Sequence, residues 1–261
     1  MNKIAVVTPV YNGEKFIKDC LQSVALSVMG ENLTLEHIVI DDGSTDRTWE
    51  ILQQIQLPHL RIFRLKENHG GSTARNLAVA KTQADWLFCL DADDVLFQNS
   101  LRSLFRFAQE KKAEWVYGDF LRTNENLTYL PGQDYYGYQF SSPSELLTSM
   151  FIGEHFFQQN CLYTRQAFET AGGFDESARH FEDFSLFTRF ALKGYLPYYF
   201  PGPLYLHRFH PHNLSKQLGR ENNFEAHRQD IYYLYQKYET ELKKVLSPSQ
   251  IEKVEEFLKA H

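Results

Sequence analysis

Four times before Lys111 the chain runs an apolar stretch into a polar loop and then into a helical pattern, and this rhythm limits the fold more than any other feature. Ile4-Ala5-Val6-Val7 precedes a break at Asn12-Gly13, after which Phe16, Ile17, Cys20, Leu21 and Val24 fall at helical spacing. His37-Ile38-Val39-Ile40 leads into Asp41-Asp42-Gly43-Ser44, with a helix predicted from Thr45-Asp46 through Trp49, Ile51 and Leu52. Arg61-Ile62-Phe63-Arg64-Leu65 is followed by Asn68-His69-Gly70-Gly71 and a predicted helix from Ser72 to Lys81. Trp86-Leu87-Phe88-Cys89-Leu90 ends in Asp91-Ala92-Asp93-Asp94, before a predicted helix from Ser100 to Lys111. Strands apolar on both faces and alternating with helices imply an α/β fold, with a buried, mostly parallel central sheet flanked by helices. Ligands of such sheets bind beyond the carboxyl ends of the strands, where all four polar loops fall.

After Trp115-Val116-Tyr117-Gly118-Asp119 the rhythm loosens into a tyrosine-rich stretch around Tyr135-Tyr136-Gly137-Tyr138, and a boundary is placed near residue 120. Pro143-Ser144-Glu145 reads as a helix start, Gly172-Gly173-Phe174-Asp175 as a turn, Phe181 to Lys193 as a helix and Leu204-Tyr205-Leu206-His207-Arg208 as a short strand. Beyond Leu218 a helical extension is predicted over residues 219–261, with Phe224, Ile231, Tyr238 and Val245 recurring every seventh position. Ser247-Pro248-Ser249-Gln250 opens its last helix with a capping box and Pro at the first helical position. The apolar stripe needs cover from the chain's own domain, from a second subunit in a homodimer, or from a membrane surface with Lys243 and Lys244 toward the lipid headgroups.

Composition removes several function classes. The 33 Asp plus Glu exceed the 27 Lys plus Arg, giving a net charge of -6 without a cationic run, so nucleic acid is not an expected partner. The apolar run after Lys3 is too short, and stopped too soon by Pro9, for a secretory signal, and no later segment has the apolar length of a membrane span. A cytoplasmic chain is expected. Cys20, Cys89 and Cys161 lack metal or redox spacing and read as buried small hydrophobes. The glycosylation sequons at Asn32, Asn126 and Asn213 read as chance matches.

Chemistry concentrates in the loops. Three carboxylates among residues 91–94, where a buried strand ends, are costly unless a cation or hydrogen bonds compensate them, and hard oxygen ligands suit Mg or Mn. Asp41-Asp42-Gly43-Ser44 offers acceptors for a ribose or base, and the backbone of Asn68-His69-Gly70-Gly71-Ser72 offers N–H groups to an anion. Glu182-Asp183 opens a predicted helix after Arg179-His180-Phe181, where the dipole alone favours acids. His207, His210 and His212 cluster near Arg208, as metal or phosphate ligands or as ordinary surface histidines.

In order along the chain, Thr8-Pro9-Val10-Tyr11-Asn12, Asp41-Asp42-Gly43-Ser44, residues 68–76, Asp91-Ala92-Asp93-Asp94, Gly172-Gly173-Phe174-Asp175, Glu182-Asp183 and His207-Arg208-Phe209-His210 resemble the motifs of family 2 glycosyltransferases with the GT-A fold. The resemblance covers the first 215 or so residues and leaves the helical tail outside. It implies a GT-A glycosyltransferase domain over residues 1–218, with a nucleotide-sugar-binding half to residue 120 and an acceptor half from 121 to 218. It also implies transfer of a sugar with inversion from a nucleotide-sugar, a UDP-sugar foremost, to a hydroxyl of a saccharide or lipid-linked saccharide. Thr8, Pro9, Tyr11, Asp42, Asn68, Arg75, Asp91 and Ala92 would bind the nucleotide, Asp93 and His210 a Mn or Mg ion, and Asp183 would be the base. Neither a QxxRW signature nor spanning helices of processive, membrane-bound members are found, so a single transfer is expected, with at most peripheral contact at the inner face of a membrane. Two other readings remain open at this stage. The segment from Trp86 to Val95 also resembles the nucleophile motif of haloacid dehalogenase-type phosphatases, and a nucleotide-sugar-binding scaffold without turnover would carry the same loops.

Overall fold

The computed structural model describes residues 2–27, 33–155, 157, 159–178, 181–211, 213 and 224–259. Among the described residues one mixed sheet of eight strands carries the molecule, in the order β3-β2-β1-β4-β7-β6-β8-β5. Its first four members are the strands of the repeated rhythm, β1 (Asn2–Val10), β2 (Leu33–Asp41), β3 (Leu60–Arg64) and β4 (Trp86–Cys89), all parallel. Their crossovers are α1 (Ile17–Ser27), α2 (Thr48–Gln54) and α3 (Gly71–Ala80), with α4 (Ser100–Lys111) following β4. The sheet continues without a break: β7 (Leu162–Thr164) lies antiparallel between β4 and β6 (Trp115–Asn124), and β8 (Tyr198–Phe209) runs parallel to β6. β6 itself crosses residue 120. α5 (Pro143–Phe151), α6 (Arg165–Thr170) and α7 (Glu182–Leu192) complete the body, and α8 (Phe224–Val245) and α9 (Pro248–Lys259) follow.

Three details depart from the sequence reading. α2 begins at Thr48 instead of Thr45, because Asn12 Oδ1 accepts the backbone N–H of Thr45 (2.8 Å) and of Asp46 (3.3 Å) and holds them in the loop. β8 has 12 residues, far longer than residues 204–208, since Pro201 and Pro203 disguise its first half. Those prolines are tolerated because only Leu206 and Tyr205 pair with the two-residue β5 (Val95–Leu96), leaving the earlier residues bonded on one side alone. β5 was not legible as a strand at all, being two residues between the aspartate loop and Phe97.

Alternation along β1 sorts the core. Ala5 and Val7 face a layer containing α3, α5, α7 and α8, while Ile4 and Val6 face α1 and α4. The larger layer is aromatic, with Trp115 fully buried and stacked on Phe187 at a centroid distance of 4.9 Å. The helical extension docks here: Ile231, Leu234, Tyr235, Tyr238 and Leu242 are buried in the same cluster as Phe184 and Phe187. The seven-residue stripe is thus widened to a full helix face, as docking on a globular domain requires; the side chain of Phe224 lies outside the described residues. The capping box forms reciprocally, Ser247 N donating to Gln250 Oε1 (2.9 Å) and Gln250 N to Ser247 Oγ (3.3 Å).

Candidate active site

The loops after β1 and β2 are joined by side chains before any ligand is considered. Asn12 N donates to Ser44 Oγ (2.9 Å), Gly13 N to Thr48 Oγ1 (2.8 Å) and Glu14 N to Asp46 Oδ2 (3.2 Å). Gly43 sits at φ +72°, and an added Cβ would fall 2.5 Å from the carbonyl carbon of Glu67, so the turn packs directly on the next loop. Asp42 finishes the join: its two carboxylate oxygens accept the N–H groups of His69 and Gly70, each at 2.8 Å. Two of the amides expected to greet an external anion, those of His69 and Gly70, are therefore already engaged by a side chain.

Of the three clustered aspartates, each has a different task. Asp94 is buried at 2 % exposure and accepts Arg208 N (3.0 Å) and Asn160 Nδ2 (2.8 Å). Burial, then the charges of Asp93 and Asp91, push its carboxyl well above the usual range. Asp93 turns outward: its Oδ2 meets His210 Nε2 at 3.0 Å and Asn213 Nδ2 at 3.1 Å, while its carbonyl accepts Arg208 Nε (2.8 Å). Asp91 Oδ1 accepts Arg75 Nη2 at 2.7 Å.

Arg75 is the link between the two chemical ends of the site. Buried on α3 with Phe174 against its guanidinium, it also donates through Nη1 to Glu182 Oε1 at 2.8 Å. Burial opposes its charge, but Asp91 and Glu182 outweigh this and hold it protonated. The loop bearing Asp93 is thereby tied to the helix bearing Asp183. The N-cap of α7 is Phe181, with no side-chain cap bond, and Glu182 is spent on Arg75. Asp183 Oδ1 accepts Phe184 N (2.7 Å). One edge of Asp183 reaches solvent, yet enough protein surrounds it that burial, followed by the Glu182 charge, pushes its carboxyl up to about 7.

The histidines separate. His210 is buried, its ring 4.5 Å from that of Phe16, and its Nε2 is placed on Asp93. His207 instead packs on Phe120, with burial and Arg122 pushing it down to about 4; His212, Arg179 and His180 lie outside the described residues. Arg208 fixes the strand end by donating to Asp19 Oδ2 and the Glu125 carbonyl, each at 2.8 Å. Among the described residues no three of His, Cys, Asp and Glu surround one point. The pair Asp93–His210 nevertheless fits an ion: two ligands about 2.1 Å from an octahedral centre are about 3.0 Å apart, and small hard cations complete their shells with water and phosphate oxygens.

The other expected nucleotide residues divide between the cleft and its foundations. Tyr11 is 49 % exposed at the mouth, Asn68 is exposed, and Pro9 and Ala92 are half-buried. Thr8 is fully buried, its hydroxyl 2.9 Å from His37 Nε2, so its side chain lies beneath the cleft floor. Asn160, Asn213 and Asp19 were missed as site residues. Asn213 had shown only a sequon, and nothing in the sequence around Asn160 or Asp19 distinguishes them from surface polar residues.

A family model described as glycosyl transferase family 2 matches residues 5–172, a span that includes the aspartate loop and Arg75 and stops before Glu182. The chain is 32% identical over 138 residues to the glycosyltransferase GlyG of Streptococcus pneumoniae serotype 4, covering 51% of this chain and 45% of that protein. It is 30% identical over 195 residues to a chondroitin synthase of Escherichia coli, covering 73% of this chain and 27% of that protein. The matches thus span less than half the length of either relative. The crystal structure of S. aureus TarS 1-349 in complex with UDP is similar in fold, with a TM-score of 0.70 at 22% identity over 99% of this chain and 71% of that one.

Proposed function

The chain belongs to glycosyl transferase family 2, and from that premise we propose that it moves a sugar from a UDP-sugar to a hydroxyl of a saccharide or lipid-linked saccharide by one inverting displacement. The observation that carries the reading is the Arg75 bridge, which joins Asp91, two residues before the Asp93 that meets His210, to Glu182, the residue before Asp183. The UDP complex of the similar fold supports the choice of donor. Membership of a glycosyltransferase family displaces the phosphatase reading, and it sets an enzyme above a bare scaffold.

In this reading Asp93 and His210 would hold a divalent cation, Mn or Mg, whose contribution is to neutralise the departing diphosphate. Asp183 takes the proton of the acceptor hydroxyl while that oxygen attacks the anomeric carbon and the bond to the diphosphate breaks. A carboxyl raised to about 7 is a stronger base than an ordinary aspartate and is still half-ionised at neutral pH. Arg75 keeps the two ends in register, and its own charge offsets the concentration of acids. Among the described residues no helix is long and apolar enough to cross a membrane. A cytoplasmic site of action belongs to the proposal. Since the apolar stripe of α8 is spent on the chain's own core, a homodimer or peripheral membrane contact would have to use other surface, such as the exposed Tyr232 and Tyr233.

A panel of UDP-sugars screened by thermal unfolding with Mn or Mg and again in chelator tests this reading. The donor should stabilise the chain only with metal, by about 2.7 kcal/mol at a hundredfold excess over Kd. Asp93→Ala should weaken donor binding about tenfold or more. Undiminished affinity in chelator would remove the metal-holding role of Asp93.

A further inference from the structure

Two residues after Asp183, on the opposite side of α7, lies a contact that the reaction as described does not use. Positions two apart on a helix are rotated by about 200°, so the face that presents Asp183 to the cleft sets Ser185 toward the extension. Ser185 is fully buried, and its Oγ lies 2.8 Å from the hydroxyl of Tyr238 on α8. The same Oγ donates to Asp175 Oδ2 at 3.4 Å. Asp175 Oδ2 also receives Lys237 Nζ, and Lys237 donates to Ser177 Oγ at 3.0 Å. Two consecutive residues of α8 therefore grip the turn before α7 and the first turn of α7 itself.

The other side of that turn is held by the nucleotide half. Asn76 of α3 accepts Phe174 N on Oδ1 and donates to the Phe174 carbonyl through Nδ2, both at 2.9 Å. Its neighbour Arg75 lies over the Phe174 ring and reaches Asp91 and Glu182. Gly172 and Gly173, at φ +84° and +72°, make the sharp bend possible. The Asp175 carboxyl is held down to about 2: partial burial would raise it, but hydrogen bonds from Lys237 and Ser177 outweigh burial. Asp175 is therefore ionised across the working range, and its grip on Lys237 does not switch with pH.

We propose that α8 is a positioning element of the active site, with Tyr238 and Lys237 acting through Ser185 and Asp175 to set where the Asp183 carboxylate stands. The proposal rests on Asp183 being the base. It separates two roles for one helix. Ile231, Leu234, Tyr235 and Leu242 anchor α8 by burial and keep it docked without the polar pair. The hydroxyl and ammonium groups add direction, which burial alone does not supply, and general-base catalysis is sensitive to direction: a misplacement of about 1 Å can cost about a hundredfold in rate.

The test uses the full chain, the UDP-sugar that gives the largest thermal stabilisation, and UDP release as the readout. Tyr238→Phe keeps the buried ring, Lys237→Met removes the ammonium, and Lys237→Arg restores a cation. The pair Tyr238→Phe with Lys237→Met should lower kcat about tenfold or more, with donor Kd within about twofold and Tm near that of the parent. Lys237→Arg should recover most of the loss due to Lys237→Met. Should the double variant fold poorly, Tyr238→Phe alone must still show a kcat loss without a change in donor Kd. An unchanged kcat in these variants, or a loss of kcat matched by equal loss of donor affinity, overturns the proposal. Asp183→Asn in the same assay separates the layers: abolished turnover there with silent α8 variants rejects positioning alone, whereas intact turnover there rejects both.

Discussion

Asp183→Asn lowers turnover by about a hundredfold or more while donor affinity stays within about twofold, the loss expected when a general base is removed from an otherwise intact site. The substitution keeps the size of the side chain, and an asparagine Oδ1 can still accept the Phe184 N–H. Glu182 remains on Arg75, so the helix start is undisturbed. The pH dependence follows from the same carboxyl. Because Asp183 must be ionised to accept a proton and is raised to about 7, kcat/KM climbs as pH rises through about 7 and falls below it. Glu182→Gln takes away the neighbouring charge that helps raise Asp183, so this acidic limb should move to lower pH. A limb that stays in place in Glu182→Gln, or near-normal turnover in Asp183→Asn, would assign the proton transfer to another group.

Arg75→Met should cost about 3 kcal/mol of unfolding free energy at pH 7, the lower end of what breaking a buried ion pair costs. The lower end applies because Asp91 keeps 38% of its side chain in solvent and Glu182 only 16%, so water relieves one orphaned acid more than the other. Methionine preserves much of the stem packing on Phe174, which confines the change to charge. Burial already raises the Asp91 carboxyl against the lowering effect of Arg75, so without that cation Asp91 binds a proton more readily in the folded than in the unfolded chain, and the deficit should shrink as pH falls. Denaturant titrations at pH 7 and pH 4.5 measure it. A deficit below 1 kcal/mol at pH 7, or one independent of pH, would mean that the bridge carries little of the site's architecture.

The parallel half of the fold was legible because its signal is local: residues 4–7, 37–40 and 86–90 are largely apolar on both faces, residues 61–65 set Ile62, Phe63 and Leu65 among arginines on the edge strand, and each run ends in a loop of turn-forming residues. The second half was less legible because its strands are specified by partners. β5 is two residues long, β7 three, and β8 hides its first half behind Pro201 and Pro203, which only its one-sided pairing permits. Within the site the sequence could locate a carboxylate cluster but not divide it. That Asp94 faces inward to Asn160 and Arg208 while Asp93 faces His210 follows from contacts across 66 or more residues. Asp42 had the same difficulty, since an acid that holds a neighbouring loop and an acid that holds a ligand look alike until the amides of His69 and Gly70 are seen on it. Arg75 was found through resemblance alone, and its partner Glu182 is 107 residues away.

The stereochemistry of transfer tests the role of Asp183 most directly. With Asp183 on the face of the sugar opposite the diphosphate, the attacking oxygen arrives from behind and the anomeric carbon inverts, as in inverting hydrolysis with a single base. Proton NMR of the first-formed product, or of the sugar released to water when no acceptor is supplied, reads the anomeric configuration before mutarotation blurs it. A configuration opposite to that in the UDP-sugar is the predicted result; the same configuration as in the donor would contradict the single displacement and the role of Asp183 together.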